Sequence, residues 1–165
     1  MKNLLFVLCT VFLLSSCSKK ENNDQTDPLR GVATFTVNNV DKSFTKLNSF
    51  NEGVLGLANS KEEMIALFFP KPTDKTTFPI TYNSDSEDLV TATYTLGEKT
   101  YNATNGILGI GKIGQLEITV TSYDGTRISG TFMLTLVNKD KSDDVIKITK
   151  GKFEKIPNLM EAIKN

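Results

Sequence analysis

The stretch LEITVTSYDGTRISGTFMLTLV, residues 116–137, decides the fold, because it holds two apolar runs of period two separated by turn residues. Leu116, Ile118 and Val120 share one face of a first strand, and Ile128, Phe132, Leu134 and Leu136 share one face of a second. Ser122-Tyr123-Asp124-Gly125-Thr126 supplies the reversal, and parity sets the register. A two-residue Asp124-Gly125 turn pairs Val120 with Ser129 and leaves one apolar face or the other in water. A three-residue loop, Tyr123-Asp124-Gly125 with Gly125 in the left-handed region, pairs Val120 with Ile128 and Leu116 with Phe132, and is the expected register. It sets Gly130 opposite Ile118 in the inward row. There an aromatic ring, from Phe132 or from the facing sheet, is expected to cover the bare backbone.

The rest of the chain repeats this pattern. Residues 32–37 alternate, Asn38-Asn39-Val40-Asp41-Lys42 turn, and Ser43-Phe44-Thr45 return. Residues 54–58 and 64–69 form a second pair, and the run from Ile65 to Phe69 reads as a central strand buried on both faces, with Phe68, Phe132 and Leu134 filling the interior. Phe78-Pro79-Ile80 marks an edge, since proline cannot donate to a ladder. Further strands are expected over 89–96, 100–103 and 107–113, with a last one over 145–153. Roughly ten short strands with turn signals every eight to twelve residues predict an all-β domain, either an antiparallel β-sandwich or a partly closed up-and-down barrel. After Pro157, Leu159, Met160 and Ile163 share one helical face, predicting a short C-terminal helical turn.

Residues 1–16 carry one positive charge at Lys2, an apolar run over 4–14, and small residues up to Cys17. That is the layout of a secretory signal peptide, and the run is shorter than the ~20 apolar residues of a membrane span. Leu14-Ser15-Ser16-Cys17 resembles the lipobox of bacterial lipoproteins, which implies cleavage before Cys17 and lipidation of that residue. Cys9 then leaves with the signal, so the mature chain has no thiol for a disulfide or a thiolate metal site. Three acyl chains, at about 0.8 kcal/mol per buried methylene, anchor far more firmly than one. Ser18 follows the cysteine where an aspartate would favour the inner membrane, so the expected location is the outer membrane. Either its periplasmic face or the cell surface fits, because Lys19-Lys20-Glu21 matches an acidic surface-export signal only in part. Residues 17–30 are polar apart from Leu29 and read as a disordered tether, about 20 Å long as a coil and about 43 Å extended. Residues 31–165, about 135 in all, make one β-domain with its own core.

Composition excludes several functions. Basic and acidic residues number 19 each, and loss of Lys2 leaves the mature chain acidic by one, so no basic field is expected to hold nucleic acid. The absence of histidine excludes Ser-His-Asp and Cys-His catalysis and the usual zinc sites. The absence of tryptophan leaves Tyr82, Tyr94, Tyr101, Tyr123 and the phenylalanines as the rings available for stacking on a sugar.

Four stretches imitate chemistry. Gly109-Ile110-Gly111-Lys112-Ile113-Gly114 spells a dinucleotide fingerprint, but that motif must open a helix, and Gln115 to Val120 alternates as a strand. Gly106 through Lys112 nearly spells a phosphate loop, but Ile113 stands where Ser or Thr must follow the lysine, so no nucleotide is expected. Asn83, Asp85 and Glu87 alternate as calcium ligands do, yet Asp88 stands at the glycine position and Tyr94 at the closing glutamate. Asp140, Asp143 and Asp144 are interleaved with Lys139 and Lys141 and read as a solvated turn. Ser43 and Lys46 have the spacing of a serine-lysine pair but lie in a hairpin instead of at a helix start.

Taken together, Leu14-Ser15-Ser16-Cys17, Val40-Asp41-Lys42-Ser43-Phe44, Phe78-Pro79-Ile80 and Tyr101-Asn102-Ala103-Thr104-Asn105-Gly106 resemble a family of uncharacterised Bacteroidota lipoproteins with a small β-domain. The resemblance is clearest in Ile128-Ser129-Gly130-Thr131-Phe132 and Ile148-Thr149-Lys150-Gly151-Lys152-Phe153. This chain lacks the glycine that such sequences often carry between Asp41 and Lys42, and the family brings no catalytic residue to transfer. The expected function is a non-enzymatic, outer-membrane-anchored lipoprotein that binds a partner protein or serves the envelope structurally, without cofactor or metal and with Cys17 as its one site residue. The alternative is a lipocalin-like carrier of a small apolar ligand, which needs an internal cavity of roughly 300 to 1,000 Å³. An enzyme working with Asp, Glu, Lys or Tyr alone is a third class.

Overall fold

The computed structural model describes residues 31–106 and 111–159. Cys17, the signal, the tether and most of the expected C-terminal helical turn lie outside the described residues. The strands are β1 Val32–Val37, β2 Val40–Phe44, β3 Ser49–Asn51, β4 Val54–Ala58, β5 Glu63–Phe68, β6 Ile80–Asn83, β7 Thr91–Leu96, β8 Lys99–Thr104, β9 Gln115–Tyr123, β10 Arg127–Asn138 and β11 Val145–Pro157. All pair antiparallel, and nine of them, in the order β2-β1-β11-β10-β8-β7-β5-β4-β3, curl into a half-barrel. Of the two expected architectures, the partly closed barrel is the one formed. β10 shares one edge between two neighbours: Val137 and Asn138 pair with β8, while the span from Ile128 to Thr135 pairs with β9. β6 then adds to the far side of β9 and forms an edge, as Pro79 requires.

The β9–β10 hairpin keeps its expected faces but not its expected register. Its tip is a four-residue loop from Asp124 to Arg127, in which the Asp124 carboxylate accepts bonds from the Thr126 backbone N–H and hydroxyl and from the Arg127 N–H. That loop opposes Tyr123 to Ile128. A bulge at Thr121 then takes up one residue, so Val120 pairs with Gly130, Ile118 with Phe132 and Leu116 with Leu134. The net displacement is two residues, which leaves Gly130, Phe132 and Leu134 in the buried row.

Other differences have local causes. The first turn is Asn38-Asn39 alone, with φ of 50° and 63°, closing Val37 against Val40 as a type I′ turn; asparagine tolerates the left-handed region, and Asp41 and Lys42 already belong to β2. β3 was not expected; it is three residues long, joined to β4 by Glu52-Gly53 at positive φ. β5 is central, between β4 and β7, but alternates: Ile65, Leu67 and Phe69 face the core, and Phe68 lies half-buried on the outer face, outside the interior assigned to it. Residues 107–110 of another expected strand lie outside the described set, and Ile113 makes only a two-bond bridge with Thr104.

β11 has inward residues Ile146, Ile148, Gly151, Phe153 and Ile156, with a step of three at Lys150 and again at Lys155. Both lysines have positive φ, 52° and 53°, and mark bulges that bend the strand and sharpen its twist. The concave face is packed with rings. Phe35 sits 4.9 Å from Phe44, 6.3 Å from Phe132 and 6.5 Å from Tyr94, while Phe50, Phe69 and Tyr82 stack in a second column.

Candidate functional site

β2 and β4 come together across the open side of the half-barrel without forming a ladder, and side chains close the seam. Buried Asn48 donates to the carbonyl of Phe44 at 2.6 Å and accepts from the Ala58 N–H at 3.2 Å. Asn59 accepts from the Thr45 N–H at 2.8 Å and donates to the Ser43 carbonyl at 2.6 Å. Each carboxamide, with one acceptor and two donors, does what a strand's own backbone would do.

Above them runs a polar belt. Lys42 of β2 pairs with Glu63 at the start of β5, and the phenol of Tyr94, fully buried on β7, donates to Glu63 at 2.6 Å. Burial pushes the Glu63 carboxyl up, but the bonds from Lys42 and Tyr94 outweigh it and hold the group below the usual glutamate range. Burial raises the Tyr94 phenol, and the Glu63 carboxylate raises it further. The ring of Tyr101 lies 6.4 Å from that of Tyr94, and its phenol donates to Asp144 at 3.2 Å. Lys99 and Asn138 also bond Asp144, and the Lys99 bond leads in holding its carboxyl below the ordinary aspartate value. The belt ties β2, β5, β7, β8 and the β10–β11 loop together. Glu63 already accepts from an ammonium and a phenol, so as it stands its carboxylate serves as a strut across the seam. Sequence reading missed this belt. Its only trace was the alternation around Thr93-Tyr94-Thr95, which turns a tyrosine inward and so demands a partner for its hydroxyl.

The motifs singled out in the sequence fall in separate places. Gly111 to Gly114 lead into β9 rather than a helix, Gly114 has φ of 64° against the Thr135 carbonyl, and Lys112 pairs with Asp85 at 2.6 Å. Asn83 caps its own turn by accepting from the Asp85 N–H. Asp140 and Asp143 lie beside Lys139 and Lys141, and Asp144 belongs to the belt. Among the described residues no three acidic groups are gathered to hold a metal. Ser43 lies in β2, its carbonyl held by Asn59.

The space that a carrier would keep for its ligand is occupied by Phe35, Phe44, Tyr94 and Phe132. Clefts open instead on the outer face. One of about 460 Å³ lies among Asp85, Glu117, Met133 and Lys147; one of about 440 Å³ beside Thr34, Asp41, Ser43 and Lys150; one of about 520 Å³ among Phe78, Tyr123, Ser129 and Lys155.

No curated protein and no solved structure matches the chain. Residues 57–157, from the end of β4 through the end of β11, match the family described as Domain of unknown function (DUF6252), and the chain belongs to that family.

Proposed function

We propose that this member of the DUF6252 family is a non-enzymatic lipoprotein of a Bacteroidota-type outer membrane, held by lipid on Cys17, whose β-domain binds an envelope partner or serves the envelope structurally. The observation that carries the reading is Leu14-Ser15-Ser16-Cys17 directly after an apolar run of signal length. Two structural features support the non-enzymatic part. The main polar constellation, Lys42 with Glu63 and Tyr94, is satisfied within itself, and the concave face is filled with aromatic rings. Ser18 after the cysteine supports the outer over the inner membrane.

Detergent phase partitioning of the chain expressed with its signal, in a bacterium that processes lipoproteins, tests the anchor. The parent is expected in the detergent phase and Cys17→Ala in the aqueous phase, because residues 18–30 have a single apolar side chain, Leu29. A Cys17→Ala variant that still enters the detergent phase would overturn the reading.

A further inference from the structure

The balanced composition conceals an uneven distribution. β1 has no charged residue and β10 has Arg127 alone, whereas β11 between them carries Lys147, Lys150, Lys152 and Lys155 against one acid, Glu154. All four lysines are exposed. Lys152 pairs with Glu154 at 2.8 Å, and among the described residues Lys147, Lys150 and Lys155 have no carboxylate in ion-pair reach. The bulges place two of them: each adds one outward residue to the strand, and those residues are Lys150 and Lys155.

Each of the three unpaired lysines borders one of the outer clefts. Hydroxyls line the same clefts, Thr34 and Ser43 beside Lys150, Ser122 and Ser129 beside Lys155, and Thr135 and Thr149 beside Lys147. Carboxylates line them too, but Asp41 accepts from the Thr36 hydroxyl, Asp85 from Lys112, and Asp124 from Thr126 and Arg127, which leaves Glu117, among the described residues lining the clefts, as the acid without such a bond. Ammonium and hydroxyl donors around a shallow opening suit the oxygens of a phosphate. The domain also begins at this stripe. Gly31 is so close to the carbonyls of Glu154 and Lys155 that a Cβ on it would lie 2.5 and 2.7 Å from them, so the chain arrives from residues 17–30 beside Lys155.

We infer that the lysine stripe of β11 docks the domain onto an anionic lipid surface, its ammonium groups and the flanking hydroxyls meeting headgroup phosphates of the membrane that holds the anchor. The inference takes its geometry from the lipid-anchor reading. Each lysine brought to an anionic membrane strengthens association roughly fivefold, so four offset by Glu154 give about a hundredfold. A tether of about 20 Å supplies a millimolar effective concentration and turns this weak contact into a preferred orientation.

The test uses the mature chain, residues 17–165, with Cys17→Ala, so that no lipid contributes. Its sedimentation with vesicles of equal phosphatidylglycerol and phosphatidylcholine is compared with pure phosphatidylcholine at low salt. Association with the anionic vesicles is expected to be at least tenfold stronger. The Lys147→Gln/Lys150→Gln/Lys152→Gln/Lys155→Gln variant is expected to lose that advantage, the corresponding four-arginine variant and a Lys61→Gln/Lys75→Gln control to keep it. Circular dichroism of each variant checks the fold. A four-glutamine variant within tenfold of the folded parent, or equal binding to both vesicles, overturns the inference. Displacement by 10 mM inorganic phosphate beyond that by chloride of equal ionic strength overturns it in favour of a soluble phosphate ligand. Because this chain carries no lipid, the outcome is independent of the detergent partitioning that tests the anchor.

Discussion

The ring of Phe153 lies over the bare backbone of Gly130, the residue opposite it on β10. The arrangement is reciprocal, since Phe132 lies over Gly151 opposite it on β11, and the two rings stack 6.4 Å apart. A glycine weakens a strand unless something uses the vacancy, and here each vacancy seats the other strand's ring.

Gly130→Val is therefore expected to destabilise, although valine is the better strand former. A Cβ at this position would lie 2.5 Å from Phe153 Cζ and against the Thr119 carbonyl, which is backbone and cannot swing aside. Overpacking of this kind costs about 1 to 3 kcal/mol, or roughly 3 to 12 °C in melting temperature for a domain of this size. A variant melting at or above the parent would mean that Gly130 faces water.

Tyr94→Phe removes the phenol that donates to Glu63 while leaving the ring in place. A hydrogen bond to a charged acceptor contributes about 1.5 to 3 kcal/mol, and the partial exposure of Glu63 brings the expected loss to about 1 to 2. Urea denaturation should show a lower midpoint with an unchanged slope. An unchanged midpoint would show that the belt does not hold the seam.

The same group gives the stability a pH dependence of known sign. The folded-state pKa of Glu63 is depressed below its ordinary value of 4.5, so its contribution is fully present above that value and is lost as pH falls through the lower folded one. The melting temperature of the parent should decline below about pH 4.5, and Glu63→Gln, having no proton to take up, should decline less over the same interval. Asp124 and Asp144, also depressed, act in the same direction and persist in the variant. Parallel acid slopes for parent and variant would refute the assignment.

At the first hairpin, Asn39 has φ of 63°. Asn39→Ala keeps the crowded Cβ but loses the short polar side chain that lets asparagine adopt this region, and should cost about 1 kcal/mol, while Asn39→Gly, which has no Cβ, should match or exceed the parent. Chemical denaturation of the two variants measures this, and equal stabilities would place the turn elsewhere.

Calcium at millimolar concentration is expected to shift the melting temperature by less than about 3 °C. Asp144 is occupied by Lys99, Tyr101 and Asn138, and Asp85 by Lys112. A larger shift would show that one of the acidic loops opens to bind.

The faces of the strands could be read from the sequence because alternation survives any even displacement: Phe132 and Leu134 were placed inward although their partners are two residues from those expected. The bulges of β11 were not read: the expected strand runs over 145–153 without a break, and the three-residue steps from Ile148 to Gly151 and from Phe153 to Ile156 show only in which residues are buried. The bulge at Thr121 was missed as well: its trace is the three-residue step from Val120 to Tyr123, whose ring packs on Phe50, but Tyr123 reads as part of the loop. Nor was the seam legible. Lys42, Glu63 and Tyr94 are 21 and 31 residues apart and meet across a gap between strands, so no local period connects them. The buried asparagines are similarly silent, since Asn105 reads as a turn residue yet bonds Val90, Ser86 and Asp88 from within the fold.

The position of β1 has a mechanical consequence. The chain enters the domain at Gly31 and runs at once into a strand zipped on both sides, at five paired positions to β2 and five to β11. A pull on residue 31 along that strand loads both ladders in shear, so their bonds must fail together. β6, bonded along one edge only, would unzip a bond at a time if drawn sideways. The domain is thus gripped at the point where a membrane tether would tug on it.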